Sequence, residues 1–387
     1  MSANTTVRSL RTRRSIALCT SVKTLPRGSL DKFSLLEEVN MRRINHLFSR
    51  FSLLIALLVL IGFFSLIRPD SFATLENAGS IMSDGAVLSL IAVGVMVPMI
   101  VGQFDVAPGF IASLGVMLTA GLQSNNQWPW PLVLVAVLAI GALIGLLMGV
   151  LVGYLQLNSL VVSLGVGSVL SGVVLVYSGG QVIYKGIPPD FLALGQTRLL
   201  GFVPLPFLYA LAIAAVMWFM LTYRPVGRRL YAVGGGPDAA KLIGVNLPRY
   251  IAMSFVVSST LASLAGFVQV ARLGAGHPTA AQAFLLPAFA AAFLSATSFR
   301  LGFYNIWGAF LAVYLVGTGT TGLFMLGADS YVQPVFNGVV LVGAVTLARV
   351  LILRRNRRLA LARAADQQNV APLDRSTVSD AENSVAG

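Results

Sequence analysis

Long apolar runs recur along the chain from Phe51 to Leu353, with short polar turns between them. Each run has about 17 to 25 residues, enough for a helix to cross roughly 30 Å of hydrocarbon. The short alternating segments of a membrane β-barrel do not occur. The pattern predicts an all-α, polytopic membrane protein with about ten transmembrane helices, at residues 51–67, 80–101, 106–123, 130–153, 159–178, 204–223, 250–270, 283–298, 304–323 and 332–352.

Two of these predicted spans are interrupted. Pro108 and Gly109 break the third span, and Pro287 with its polar neighbours weakens the eighth. A broken or re-entrant helix is tolerated in a membrane only where protein covers it or where it lines water. The sequence leaves open whether these two segments are continuous.

Composition and charge agree with this pattern and orient it. Hydrophobic residues make up 56% of the chain, charged residues only 11%, and the mean hydropathy is +0.82, which excludes an ordinary soluble protein. The net charge is +13, and of the 27 Lys and Arg residues ten precede the first span, five fall within 224–249 and seven lie from Arg349 onward. Basic clusters mark the cytoplasmic side, so we expect both termini and this loop to be cytoplasmic, with no nucleic acid partner.

The two ends differ from the middle in composition. Residues 1–50 form a basic leader that we expect to be partly disordered, with an amphipathic stretch from Leu30 that could lie on the membrane surface. The start is either Met1 or Met41, and a cleaved signal peptide is not expected. Residues 51–353 form the transmembrane domain, and 354–387 are expected to be a disordered cytoplasmic tail.

Glycine recurs on one face of the fourth span. Gly141, Gly145, Gly149 and Gly153 follow at intervals of four residues, so they share one side of the helix. Small residues at this spacing let another helix approach closely in lipid. We expect these glycines to serve helix packing.

Catalysis by this chain alone is not expected. The sequence contains no phosphate-binding loop, nucleophile elbow or dinucleotide fingerprint, and one cysteine and two histidines give no metal site. Asp105 is the one carboxylate placed well inside a hydrophobic region. It either caps the third helix or belongs to a solute path.

A short helix is predicted inside the basic loop 224–249. Pro237 suits the first turn of a helix, Asp238 its positive end, and Gly244 its end. Glycines precede this helix at Gly234, Gly235 and Gly236. Such a bounded cytoplasmic helix is either a soluble connector or a rigid knob that docks into a partner.

This loop resembles the coupling segment of the ribose-type sugar permeases of ATP-binding-cassette importers. Six residues match that family's pattern directly, Asp238 fills an acidic place, Lys241 replaces an arginine, and Gly236 and Pro237 depart from it. The six direct matches are Gly234, Gly235, Ala239, Ala240, Leu242 and Gly244.

Further segments keep the order of the same family, and the resemblance covers about Glu76 to Ala348. Residues 271–280 resemble its Ala-Arg-Leu-Gly segment, with His277 in place of a glutamine, and Trp307-Gly308 and Gln333 follow in register. Residues 102–109 keep only Asp105 and the outer glycines of the family's Gly-Gly-Ile-Asp-Leu-Ser-Val-Gly. This departure adds bulk where the family has small residues.

The resemblance implies a multi-pass permease of the bacterial inner membrane that carries a monosaccharide or related polyol. Implied partners are cytoplasmic ATPase subunits that bind ATP and Mg²⁺, a periplasmic or surface-tethered solute-binding protein, and a second permease copy or paralogue; this chain itself is expected to bind no cofactor. An ion-coupled carrier, or a permease for a nucleoside or branched-chain amino acid, is the alternative. Candidate path residues are Gln103, Phe104, Asp105, Gln269, His277, Gln282 and Asn305.

Overall fold

The computed structural model describes residues 51–299 and 302–369, and it confirms the all-α prediction, with 78% helix. The helices are α1 Ser52–Ile67, α2 Pro69–Phe72, α3 Leu75–Ile100, α4 Pro108–Ser124, α5 Trp130–Gly153, α6 Ser159–Ser178, α7 Pro189–Gln196, α8 Leu205–Tyr223, α9 Pro225–Gly235, α10 Pro237–Leu242, α11 Leu247–Leu273, α12 Leu285–Ser295, α13 Ile306–Met325 and α14 Val332–Asn369. A 3-10 turn, Gln282–Phe284, precedes α12, and the strands β1 Arg198–Leu199 and β2 Val203–Pro204 form one antiparallel pair.

Seven helices of the described ranges are long and apolar enough to cross a membrane: α3, α5, α6, α8, α11, α13 and the part of α14 from Val332 to Val350. Three other predicted spans coincide with shorter helices. α1 has 16 residues, α4 has 17 and α12 has 11. At 1.5 Å per residue α12 is only ~16 Å long, about half of the hydrocarbon thickness.

The prediction of a disordered tail from residue 354 is wrong for its first part, because α14 continues to Asn369. The segment 354–369 is rich in Arg, Leu, Ala and Gln, which are strong helix formers. Extending an existing helix also needs no new nucleation. The predictions for the leader and for residues 370–387 lie outside the described residues.

Helix α11 is buried along most of its length, and α5 packs antiparallel against it. The four glycines of α5 follow this contact from one end to the other. A Cβ atom built at Gly145 would lie 2.6 Å from the carbonyl oxygen of Phe255, and one at Gly149 would lie 2.6 Å from the Cα atom of Ala252. The backbones therefore touch where a larger side chain would force the two helices apart.

One end of the bundle carries the basic loop, and we call it the basic end. α9 lies there, and it meets Ile100 at the end of α3 and Tyr250 near the start of α11. Gly153 at the end of α5 approaches Pro248 on the same side. The other end, called the opposite end, holds α7, the β1–β2 pair and a bridge between Ile183 and Gly276.

Both interrupted spans begin away from the bundle ends. Asp105, just before α4, contacts Ser258, which lies 11 residues and thus ~16 Å into α11 from the basic end. A Cβ at Gly109 would lie 3.2 Å from the Cβ of Leu285, so α12 begins beside the start of α4. The chain between α11 and α12 therefore runs inward from the opposite end before α12 turns towards the basic end.

Replacing Gly149 by Ala should destabilise the protein by about 1–3 kcal/mol, because the new methyl group would overlap the backbone of Ala252. Thermal unfolding of the detergent-purified chain measures this loss. Gly172→Ala on α6 is the matched control, since nothing lies within 4 Å of its added methyl group. Equal unfolding temperatures of the two variants would contradict the packing assignment.

Candidate functional site

The basic loop folds into two consecutive short helices. Arg224, with an extended backbone, precedes Pro225, the first residue of α9, and Pro237 begins α10 after the extended Gly236. α10 ends at Leu242, and Gly244 follows with φ +79°, a conformation that favours glycine. The Gly244 N–H donates a hydrogen bond to the carbonyl oxygen of Lys241 at 3.0 Å. The predicted helix at Pro237 is thus present.

Apolar side chains are exposed at the tip of this loop. The exposed fraction is 88% for Leu242 and 76% for Ile243, whereas Ala240 is buried and holds α10 against the protein. Asp238 and Lys241 are also exposed on α10. Together, α10 and Ile243 form a small knob with an apolar tip and charged flanks.

α9 connects this knob to three long helices. Gly234 lies directly against the carbonyl oxygen of Ile100, the last residue of α3. Arg229 Nη1 donates to the hydroxyl of Tyr250 on α11 at 2.8 Å. The Tyr231 hydroxyl donates to the carbonyl of Tyr304, two residues before α13, at 2.7 Å. A displacement of α9 would therefore act on α3, α11 and α13.

Helix α9 was not predicted from the sequence. The signal was present, because Val226, Leu230 and Val233 repeat at helical spacing after Pro225. Leu230 and Val233 are buried. Basic side chains between them masked the pattern.

Asp105 is fully buried in the loop between α3 and α4. Its Oδ2 accepts a hydrogen bond from Ser258 Oγ at 2.8 Å, and its Oδ1 accepts one from the Ala107 N–H at 3.1 Å. The carboxylate therefore joins the start of α4 to the middle of α11. In this conformation it does not line an open path.

The two neighbours of Asp105 are more accessible. Phe104 is 46% exposed, its ring lies 6.3 Å from that of Phe293, and its N–H donates to Ser159 Oγ at 3.2 Å. Gln103 is partly exposed, and its N–H donates to the Pro98 carbonyl at 2.9 Å. Phe104 thus presents an aromatic face beside the buried carboxylate.

The remaining candidate path residues are dispersed. Gln269 is buried on α11, His277 is exposed beyond the end of that helix, and Gln282 begins the 3-10 turn beside Gly109. Asn305 lies near the basic end, where its Oδ1 caps α13 by accepting the Gly308 N–H at 2.7 Å. These four side chains do not converge on one site.

An ion pair that was not predicted from the sequence lies towards the opposite end. Asp84 of α3 pairs with Arg272 in the last turn of α11, and Arg272 Nη2 also donates to Gln269 Oε1 at 3.2 Å. Asp84 lies nine residues into α3, so it is a second carboxylate inside a predicted span. Its partner is 188 residues away in the sequence, and no local pattern reveals such a pairing.

Potential metal-ligating side chains do not cluster in the described ranges. Across residues 51–299 and 302–369, no group of three or more His, Cys, Asp or Glu side chains is arranged to hold a metal ion. The arrangement instead offers an exposed knob with an apolar tip, a helix that links it to the bundle, and polar groups buried within that bundle.

Comparison with known proteins gives these features a context. Residues 77–345 match the family model described as "Branched-chain amino acid transport system / permease component". The chain is 30% identical to the D-allose transport system permease protein of Escherichia coli K12, over 76% of this chain and 90% of that protein.

Ribose import permease proteins are similar as well. The chain is 31% identical to the ribose import permease protein of Haemophilus influenzae, over 75% of this chain and 90% of that protein. It is 32% identical to the ribose import permease protein of Bacillus subtilis, over 76% of this chain and 91% of that protein. No solved structure matches this chain. The family resemblance seen in the sequence is confirmed, and the chain belongs to this family of membrane-embedded transport-system permease components.

Proposed function

We propose that this protein is the permease subunit of an ATP-binding-cassette importer in the bacterial inner membrane, and that it carries a monosaccharide or related polyol. The observation that carries the proposal is the exposed apolar tip of α10, joined through α9 to three long helices. The relatives named for ribose and D-allose support the sugar class.

The proposed topology has ten membrane segments with both termini in the cytoplasm. The residues Arg224, Arg228, Arg229, Lys241 and Arg249 all fall at the basic end, and cytoplasmic loops are enriched in such residues. The short α12 is then a half-membrane segment, covered by protein where it begins. The opposite end faces the periplasm, where a solute-binding protein would deliver the solute.

The proposed partner of the knob is a cytoplasmic ATPase subunit, which binds ATP and Mg²⁺. Leu242 and Ile243 expose apolar surface to water, and such surface is removed from water when a partner covers it. Gly244, in its left-handed conformation, ends α10 sharply and keeps this tip compact. A second permease copy or paralogue would present a second knob to the second ATPase subunit.

The proposed route of force runs from the knob through α9. Closure of the ATPase subunits displaces α10, and α9 transmits this displacement to Ile100, Tyr250 and Tyr304. Helices α3, α11 and α13 then shift as rigid elements between two packed arrangements. The Asp105–Ser258 hydrogen bond keeps the start of α4 with α11 during this shift.

Leu242→Asp should weaken binding of the ATPase subunit by about 30-fold, because a charge replaces an apolar anchor worth about 2 kcal/mol. Co-purification of the ATPase with the tagged full-length permease measures this binding. Leu200→Asp is the matched control, since Leu200 is also 88% exposed but lies between β1 and β2 at the opposite end.

Undiminished co-purification of the ATPase with Leu242→Asp would remove the docking assignment. Uptake of solute by vesicles that contain this chain without any ATPase would instead support an ion-coupled carrier. If only Leu200→Asp abolished co-purification, the ATPase would dock at the opposite end, which would contradict the proposed docking surface.

Asp105→Asn should retain most uptake and stability, because an amide of the same shape can still accept the Ala107 N–H and bond to Ser258. Asp105→Ala should lower stability by about 1–3 kcal/mol, because it leaves a buried hydroxyl and a buried N–H without their acceptor. Uptake and thermal unfolding are measured on both variants. Lost uptake in the normally folded Asn variant would show that the charge acts on the solute path.

A further inference from the structure

A cavity of about 280 Å³ lies between α3, the start of α12, α13 and α14. Small-molecule sites in proteins usually enclose ~300–1,000 Å³, so this cavity suits a ligand smaller than a typical drug. Asp84 lies nine residues after the start of α3, and Asn337 lies five residues after the start of α14. The cavity therefore belongs to the half of the bundle towards the opposite end. Its polar side chains are Asp84, Thr320, Thr321, Gln333 and Asn337.

The buried amide of Asn337 indicates that the cavity binds a ligand. Its side chain is 5% exposed, and its Oδ1 has no hydrogen-bond partner among the described residues. Its neighbours Val335 and Val339 are exposed on the outside of α14, so the helix turns the Asn337 amide inward. A buried polar atom without a partner is costly, and a hydroxyl group in the cavity would satisfy it.

The charges around the cavity favour a neutral solute. Asp84 is the single charged residue in its lining, and this carboxylate is paired with Arg272. Arg272 also donates to Gln269; its Nε is buried without a hydrogen-bond partner in the described part of the chain, but Arg272 is not among the residues that line the cavity. A carboxylate or phosphate on the solute would meet no free cation here and would face a negative charge. The amides and hydroxyls of the lining instead match the donors and acceptors of alcohol groups.

The rest of the lining is apolar and partly aromatic. Phe284 and Phe324 contribute rings, and Leu88 and Pro287 contribute aliphatic surface. A few polar groups set into an apolar wall are typical of sites that bind compact organic molecules. A sugar ring likewise combines polar and apolar surface, since hydroxyl groups surround its rim and C–H groups cover its faces.

We infer that this cavity is a binding site for a neutral polyhydroxylated solute, in which Asn337 and Gln333 recognise hydroxyl groups. The inference rests on the proposed function, and it names residues of this chain that bind the proposed class of substrate. It favours a monosaccharide over a branched-chain amino acid, whose carboxylate would have no partner in the cavity. Selection of the solute therefore continues within the permease after delivery by a binding protein.

Asn337→Leu tests this inference, because Leu fills the same space without the amide. The Oδ1 of Asn337 has no hydrogen-bond partner within residues 51–299 and 302–369 that the substitution could remove, so the thermal stability of the full chain should stay equal or rise. Uptake by right-side-out vesicles with the native partners should fall about ten-fold at solute concentrations well below saturation, as expected for one lost hydrogen bond. The probes are labelled D-ribose, D-allose, D-galactose and L-leucine. Val339→Ala, on the outside of the same helix, is the matched control and should change neither quantity.

The outcomes separate this inference from the proposed function. If Asn337→Leu leaves ATP-dependent sugar uptake unchanged, the cavity is not the binding site, but the proposed importer function stands. ATP-dependent uptake of L-leucine by the unaltered protein, without uptake of the sugars, would overturn the assigned substrate class. Uptake that needs no ATP would overturn the importer itself. Lower stability of Asn337→Leu with proportionally lower uptake would make Asn337 a structural residue and also overturn the site.

A thiol-labelling measurement gives a second readout that does not depend on transport. Cys19 is the only cysteine, so Cys19→Ser provides a background for Thr321→Cys in the cavity. A cationic, membrane-impermeant thiol reagent added outside right-side-out vesicles should modify Thr321→Cys quickly. It should not modify Ala112→Cys, which is fully buried on α4. No labelling of Thr321→Cys would show that the cavity does not open outward, and would contradict the site.

Discussion

Helix α11 is surrounded by other helices, and small residues at the contacts make this arrangement possible. Gly94 of α3, Gly115 of α4 and Gly145 of α5 each bring a backbone directly against α11. Apolar side chains gain little by moving from lipid into protein, so close van der Waals contact has to hold membrane helices together. A larger side chain at one of these positions would displace a helix, and every site described above depends on where these helices stand.

The interrupted spans can exist inside this bundle because side chains satisfy the backbone groups that the breaks set free. Asp105 accepts the Ala107 N–H at the start of α4. Asn305 accepts the Gly308 N–H, and its Nδ2 donates to the Ser298 carbonyl at 2.9 Å, which closes the turn between α12 and α13. Both side chains have structural roles in this conformation, although polarity within an apolar region also made them candidates for a solute path.

Properties that depend on local sequence could be predicted. The apolar runs locate the long helices, Pro237 and Gly244 delimit the knob, and hydropathy identifies the class of protein. The length of α12 could not be predicted in the same way, because its start is set by contact with α4. Polar groups that act through tertiary contact were also missed. Asp84 and Asn337 line one cavity only because their helices meet in the folded protein, and the local sequence around each residue contains no sign of that contact.

The knob and the cavity share two helices, which gives a physical basis for coupling them. α3 meets α9 at Ile100 and lines the cavity at Asp84, 16 residues and thus ~24 Å away. α13 begins beside the Tyr231–Tyr304 hydrogen bond and lines the cavity at Thr320 and Thr321. A helix transmits a tilt along its whole length, so movement of α9 at the basic end would change the separation of α3 and α13 around the cavity. The cavity needs no contact with the ATPase, because two of its walls extend to the surface where the ATPase would dock.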